Sequence, residues 1–244
     1  MAEHFYVGIY WPARREPLSQ CTKRVGTALR ELAKVDGRLS RWFRKGWTRA
    51  QALKHELSMD DASLAKLLLD GRNRRDDNNE VIEDLGFAAA LWNGAGSGNE
   101  VSISFHCGSY SEWVGNNTVL KLPFDRIISN DIYSFIKMQQ ILLILVRCFD
   151  PDWGVVTSHR LREAVNIPVG KPTAGWLTYL SNRYGASAPN AGYEIERVGD
   201  RGELLIATRE PFDSQRPEHV GPALEVAKRI LASEKPHFEQ GRQG

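Results

Sequence analysis

The chain has 244 residues, 42% hydrophobic and 25% charged, with 32 basic against 30 acidic residues and a net charge of +2. That length admits one large domain or two small ones, and the composition is ordinary for a globular protein. The near-balance of charge leaves no global field, so non-specific attraction to nucleic acid is not implied. Cys21, Cys107 and Cys148 show neither a CxxC pair nor metal-ligand spacing, which suits buried thiols in a reducing compartment. The start, MAEHFYVGIYW, lacks a basic segment followed by a long apolar run, so it does not read as a secretory signal. The most apolar window, Ile141 to Val146, is far too short to span a membrane. These features lead to the expectation of a cytoplasmic protein.

Phe5, Val7, Ile9 and Trp11 alternate with His4, Tyr6, Gly8 and Tyr10, which predicts a half-buried strand ended by Pro12. Pro17 to Val35 carries Leu18, Cys21, Val25, Ala28, Leu29 and Leu32 along one stripe, the pattern of an amphipathic helix. Leu39 to Trp47 sets Trp42, Phe43 and Trp47 among basic residues, and Thr48 is a fair cap for a short helix. Asp60 or Asp61 caps another, ending near Gly71. The polar block RNRRDDNN, from Arg72, reads as a loop. Phe87 to Trp92, bounded by Gly86 and Gly94, reads as a buried strand, and Ala95 to Asn99 as a glycine-rich turn. Val101, Ile103 and Phe105 face one way and Ser102, Ser104 and His106 the other. Asn116-Asn117 reads as a turn and Thr118 to Leu122 as its returning strand, so residues 86–122 form an antiparallel meander.

Asn130 or Asp131 is expected to cap the longest helix, about 131–149, whose apolar positions wrap most of the way round; it is placed across the sheet as the main core helix. Trp153 to Thr157 predicts a strand, and Trp176 to Leu180 is an ambiguous apolar run. Tyr193 to Val198 and Glu203 to Thr208 flank Gly199-Asp200-Arg201-Gly202, a hairpin signal. Pro222 suits the first turn of a final helix running to about Ala232, before a polar, frayed tail from Glu234. Antiparallel runs without strict helix alternation argue for an α+β fold, mainly an antiparallel sheet with helices packed on one or both faces. Residues 184–192 are the best candidate boundary, but a single domain over 1–244 is preferred.

Chemistry-bearing residues are few. His106 and Cys107 are adjacent on a strand, so they point to opposite faces and cannot form a dyad there; Cys107 joins Phe105 on the core face. Asp150 and Asp152 with His159 meet no metal-ligand motif, and DPD is more simply a helix end turning into a strand, so no metal and no cofactor is expected. GAGSG, Gly94 to Gly98, lies between strands and is a connection rather than a phosphate loop. Arg38, Arg41, Arg44, Lys45 and Arg49 around Trp42, Phe43 and Trp47 could bind phosphates and stack bases, which keeps a non-catalytic nucleic-acid module as an alternative. A hydrolase using His106 or His159 in a cleft is a third possibility. In the Arg72–Asp77 block an Arg–Asp network that pins the loop is the simpler account, with direct contact to a partner as the other.

Several segments, in this order, carry a family resemblance: YVGIYWPAR (Tyr6 to Arg14), LLLDGRNRRDDNNEVIEDLGFAAALWNG up to Gly94, SISFHCGSYS (Ser102 to Ser111), NTVLKLP (Asn117 to Pro123) and DPDWGVV (Asp150 to Val156). The chain resembles the immunity protein 52 family, small bacterial proteins predicted to neutralise polymorphic toxins, type VI secretion among their routes. The signature positions are Arg72, Asn73, Arg74, Arg75, Trp92, Gly94, His106, Gly108, Asp152 and Trp153. Little matches after about Lys171, which leaves the C-terminal third to a family extension or to partner choice. The resemblance implies a non-enzymatic protein, without cofactor, that binds a cognate toxin carrying a restriction-endonuclease-type nuclease domain. For that task Asp76, Asp77, Glu80, Glu83 and Asp84 are the candidate phosphate mimics. Glu112 and Trp113, in the turn Tyr110-Ser111-Glu112-Trp113, are the candidate anchor.

Overall fold

The predicted first strand becomes the middle of a nine-stranded sheet. In the computed structural model, which describes residues 3–44, 48–96, 98–123, 130–168, 170–185 and 192–233, β1 (Phe5–Trp11) is followed by α1 (Leu18–Val35), β2 (Phe43–Arg44), α2 (Arg49–Ala52) and α3 (Asp61–Asp70). Then come β3 (Phe87–Trp92), β4 (Ser102–Cys107), β5 (Asn116–Lys121), α4 (Phe135–Phe149), β6 (Trp153–Ser158) and α5 (His159–Val165). The last elements are β7 (Leu177–Ser181), β8 (Glu194–Val198), β9 (Gly202–Ile206) and α6 (Pro217–Ala232). All pairings are antiparallel, in the order β2-β3-β4-β5-β1-β6-β7-β9-β8. The fold is α+β. Strands of the C-terminal third join the same sheet as those of the first half. Lys45, Trp47, Ser97, the stretch 186–191 and the tail from 234 lie outside the described residues.

Alternation decides the two faces. Phe5, Val7, Ile9 and Trp11 are buried; Val7 lies opposite Leu120 and Val156, and Ile9 opposite Thr118 and Gly154. Against this inner face packs a helical layer in which α1 touches both α3 and α4. α4 buries Met138, Ile141, Leu142, Leu145, Val146 and Phe149, each a fully covered side chain contributing roughly 1.5–3 kcal/mol in transfer terms. Asp36, at the end of α1, accepts from Arg38 and from Lys137 of α4, tying the two helices together. The Arg14 guanidinium donates to the carbonyls of Phe149 and Asp150, and Arg24 to that of Cys148; the open end of α4 is thereby closed by cations, as its dipole favours.

The outer face is uneven. Over β6, β7 and β9, the outward Val155, Thr157, Thr178, Leu180 and Leu205 are fully buried, where α5 packs on β6 and α6 on β9. Over β3, β4, β5 and β1, the outward Ala88, Ala90, Ser104, Val119, Tyr6 and Tyr10 are only half-buried.

Several sequence expectations need correction. β3 is half-buried apart from Leu91, because its outward alanines belong to that open half. Asn116 and Asn117 open β5 rather than turn; the turn is 108–115. The core helix begins at Phe135 with Ser134 as its cap, after a 3-10 turn over Asn130–Tyr133, and at 15 residues it is shorter than the 18-residue α1. Pro217, not Pro222, starts α6, and Pro222 lies inside it. Trp176 to Leu180 resolves as β7, and α5 was not foreseen.

Candidate partner-binding site

The block after α3 folds as a tight hairpin. Ile82 N–H donates to the Asn73 carbonyl, Arg75 N–H to that of Glu80, and Asn79 N–H back to that of Arg75. Arg74 bridges Val81 and sends its guanidinium to the Asn79 carbonyl. The expected Arg–Asp network is therefore an arginine–backbone one, and Arg72 pairs with Glu83 while lying over the Phe87 ring. Among the described residues Asp76 and Asp77 enter no ion pair; they stand exposed at the tip with Glu80.

Two segments that are distant in sequence meet at the base of this hairpin. The Asp84 carbonyl accepts from the backbone N–H of Tyr110 and Ser111, and from the Ser109 hydroxyl. His106 spans the same junction, its ring nitrogens against the carbonyls of Leu85 (2.7 Å) and Gly115 (3.1 Å). Gly86 (φ +65°) and Gly108 (φ +74°) sit between them, and a Cβ on Gly86 would lie 2.5 Å from the Cys107 carbonyl oxygen. Asn116 locks the loop by accepting from Ser109 N–H and donating to the Pro12 and Ser109 carbonyls. Glu83, Asp84, Glu112 and Trp113 thus share one end of the sheet with the acidic tip. Trp113 is 64% exposed there.

Asp152 and Trp153 belong to the same end. Trp153 stacks on Tyr10 at 4.1 Å, and Asp152, paired with Arg183, has its carboxyl pushed up by burial against the pull of Arg183 and Arg14. Trp92 and Gly94 do not belong. They lie at the far end of β3, where Phe43 packs on Trp92 and Gly94 (φ +74°) leaves room for the Phe43 ring. Tyr10, Asn117 and Lys171, which border Trp113 and Trp153, escaped the sequence reading. Their available signal was an aromatic residue, Tyr10, on the polar side of β1.

Among the described residues, the segment behind the nucleic-acid alternative is taken up by contacts within the chain. Trp42 is fully buried with its indole N–H on the Leu39 carbonyl, and Phe43 is buried. Arg38 pairs with Asp36 and Asp131, Arg41 with Glu56, Arg44 with Asp70, and Arg49 donates to the Gly94 carbonyl. Cys107 faces inward, its thiol pushed up by the Cys21 thiol beside it and by burial, while His106 faces outward. His159 is exposed at the start of α5. Among the described residues no group of three or more His, Cys, Asp or Glu could hold a metal, and no helix is long and apolar enough to cross a membrane.

The family model for Immunity protein 52 matches residues 3–234. The chain belongs to the immunity protein 52 family. The match runs on past Lys171, so the C-terminal third is part of the family pattern rather than an unmatched extension. Among solved structures, a Pseudomonas aeruginosa T6SS protein, PA0821, is similar, with TM-score 0.58 at 13% identity over 97% of this chain and 79% of that one. At that identity it is the fold of this immunity protein 52 member that is shared. No curated protein matches.

Proposed function

We propose that the chain binds and inhibits a cognate bacterial toxin, without catalysis of its own, through the end of the sheet where the acidic hairpin and the Trp113 turn meet. The observation that carries this reading is their junction: the Asp84 carbonyl and the His106 ring hold the two segments side by side, with carboxylates and a bare indole on one rim. Membership of an immunity family supports it. The toxin is read as a nuclease of restriction-endonuclease type. Its DNA-approach surface must be basic, and Asp76, Asp77 and Glu80, unpaired among the described residues, offer that surface a local phosphate mimic. Protection against such an enzyme is needed where DNA lies, which supports a cytoplasmic location and agrees with three free cysteines. The chain acts on this reading as one unit, since one sheet carries every strand.

The test is co-expression with the toxin encoded beside this gene, followed by co-purification. Rescue of growth with a stable complex supports the reading, and a nuclease assay on the freed toxin decides its type. A folded protein that neither rescues nor co-purifies overturns it.

A further inference from the structure

Beside the Trp113 turn the outer face holds a groove of about 230 Å³ whose lining includes Tyr10, Trp153, Trp113, Glu112, Asn117 and Lys171. Tyr10 and Trp153 form a stacked pair in its wall, and the exposed Trp113 stands over it with Glu112 next in the chain. Lys171 also lines the groove, and its ammonium reaches the Leu231 carbonyl, near the end of α6, at 3.5 Å. Trp11 also lines the groove, buried, and its indole N–H has no hydrogen-bond partner among the described residues.

We infer that this groove is a receptor for an arginine side chain presented by the toxin, the guanidinium stacking on Trp113 and pairing with Glu112. The inference rests on the toxin-binding reading above and adds the occupant. A planar cation over an indole is favoured by the ring quadrupole, and arginine, with its weakly hydrated fork, takes a carboxylate at the same time. The chain already uses this chemistry at the same end of the sheet: Arg14 lies 5.3 Å over Trp11 and Arg15 lies 4.8 Å over Tyr110. Among the described residues Trp113 has neither ring nor cation against it, although it is the most exposed aromatic side chain. Charge agrees, since Glu112 in the groove and Asp76, Asp77 and Glu80 on the neighbouring tip are unpaired among the described residues. An apolar or acidic segment would meet uncompensated carboxylates there.

The experiment is calorimetric titration of the cognate toxin domain into the full chain and its variants, each first checked for an unchanged melt. Trp113→Ala should weaken binding roughly 30-fold or more, the behaviour of an interface hot spot, with Trp113→Phe recovering part of the loss. Glu112→Gln should weaken it about tenfold and Glu112→Lys further, because a like charge then faces the guanidinium. Wild-type binding with Trp113→Ala and Glu112→Gln both within twofold of it would overturn the groove and leave the immunity reading standing. Tighter binding by Glu112→Lys would show an acidic occupant and also overturn it. A wild-type chain that fails to bind or protect removes both readings together.

Discussion

Gly86 shows how one residue holds the proposed surface in shape. Its φ of +65° with ψ of −135° is a glycine conformation, and a Cβ there would meet backbone atoms of residues 107–109 at 2.5 Å. Gly86→Ala should therefore cost about 1–3 kcal/mol from the conformation alone, with the steric overlap in addition. Denaturant unfolding of the variant measures it, and an unchanged midpoint would mean that the 83–87 turn relaxes freely. Asp36 is a second single-residue test. Burial pushes its carboxyl upward, but the hydrogen bonds from Arg38 and Lys137 outweigh that, so it lies well below its ordinary value of 3.8. A depressed folded-state value makes the carboxylate stabilising above the unfolded value, with the contribution lost as pH falls from about 4 through the folded value. Asp36→Asn should cost roughly 1–3 kcal/mol near neutral pH, discounted for the partly exposed Arg38 and Lys137. The gap between variant and wild type should narrow between pH 4 and pH 2. A gap independent of pH would show that the loss is one of packing.

At the scale of elements, His106 on β4 links two loops that share no strand pairing. His106→Ala removes the ring N–H that donates to one of the Leu85 and Gly115 carbonyls, a loss of about 1–3 kcal/mol if that carbonyl remains unsatisfied. Amide exchange should accelerate across 108–115 and 83–86 while α1 and α4 keep their protection; exchange equal to wild type would assign the junction to the Asp84 carbonyl alone. Which elements can be read from the sequence follows from how local their determinants are. Asp60 and Thr48 cap α3 and α2 as expected, because the capping oxygen reaches an N–H three residues on. The alternations that predict β1 and β4 reappear as their burial patterns. Asn116 misleads because its amide bonds Pro12 and Ser109, partners that only the fold supplies. α5 is invisible to periodicity because Leu161 and Val165 are its only buried side chains. Pro222 misleads because Pro217 offers an equally good helix start five residues earlier.

For the molecule as a whole, the candidate surface was half legible. Carboxylates and Trp113 could be named from type and setting, but their adjacency depends on the Asp84 and His106 junction, and the Tyr10–Trp153 pair on the register of β1 with β6. With a net charge of only +2, the protein cannot steer a basic partner by its overall field. Steering has to come from the exposed tip at Asp76, Asp77 and Glu80, whose reach is about one screening length, roughly 8 Å at physiological salt. The two parts of the proposed surface then separate kinetically. Neutralising the tip with Asp76→Asn, Asp77→Asn and Glu80→Gln should slow association with the toxin about tenfold at low salt and leave dissociation nearly unchanged, with the difference from wild type vanishing as salt rises. Trp113→Ala should do the opposite, raising the dissociation rate at every salt concentration, because contact with a desolvated ring forms only after encounter. Stopped-flow association over a salt series resolves the two. Equal low-salt association rates for wild type and the neutralised tip would mean that the hairpin faces away from the toxin, and the acidic mimicry would fall while the Trp113 contact kept its own test.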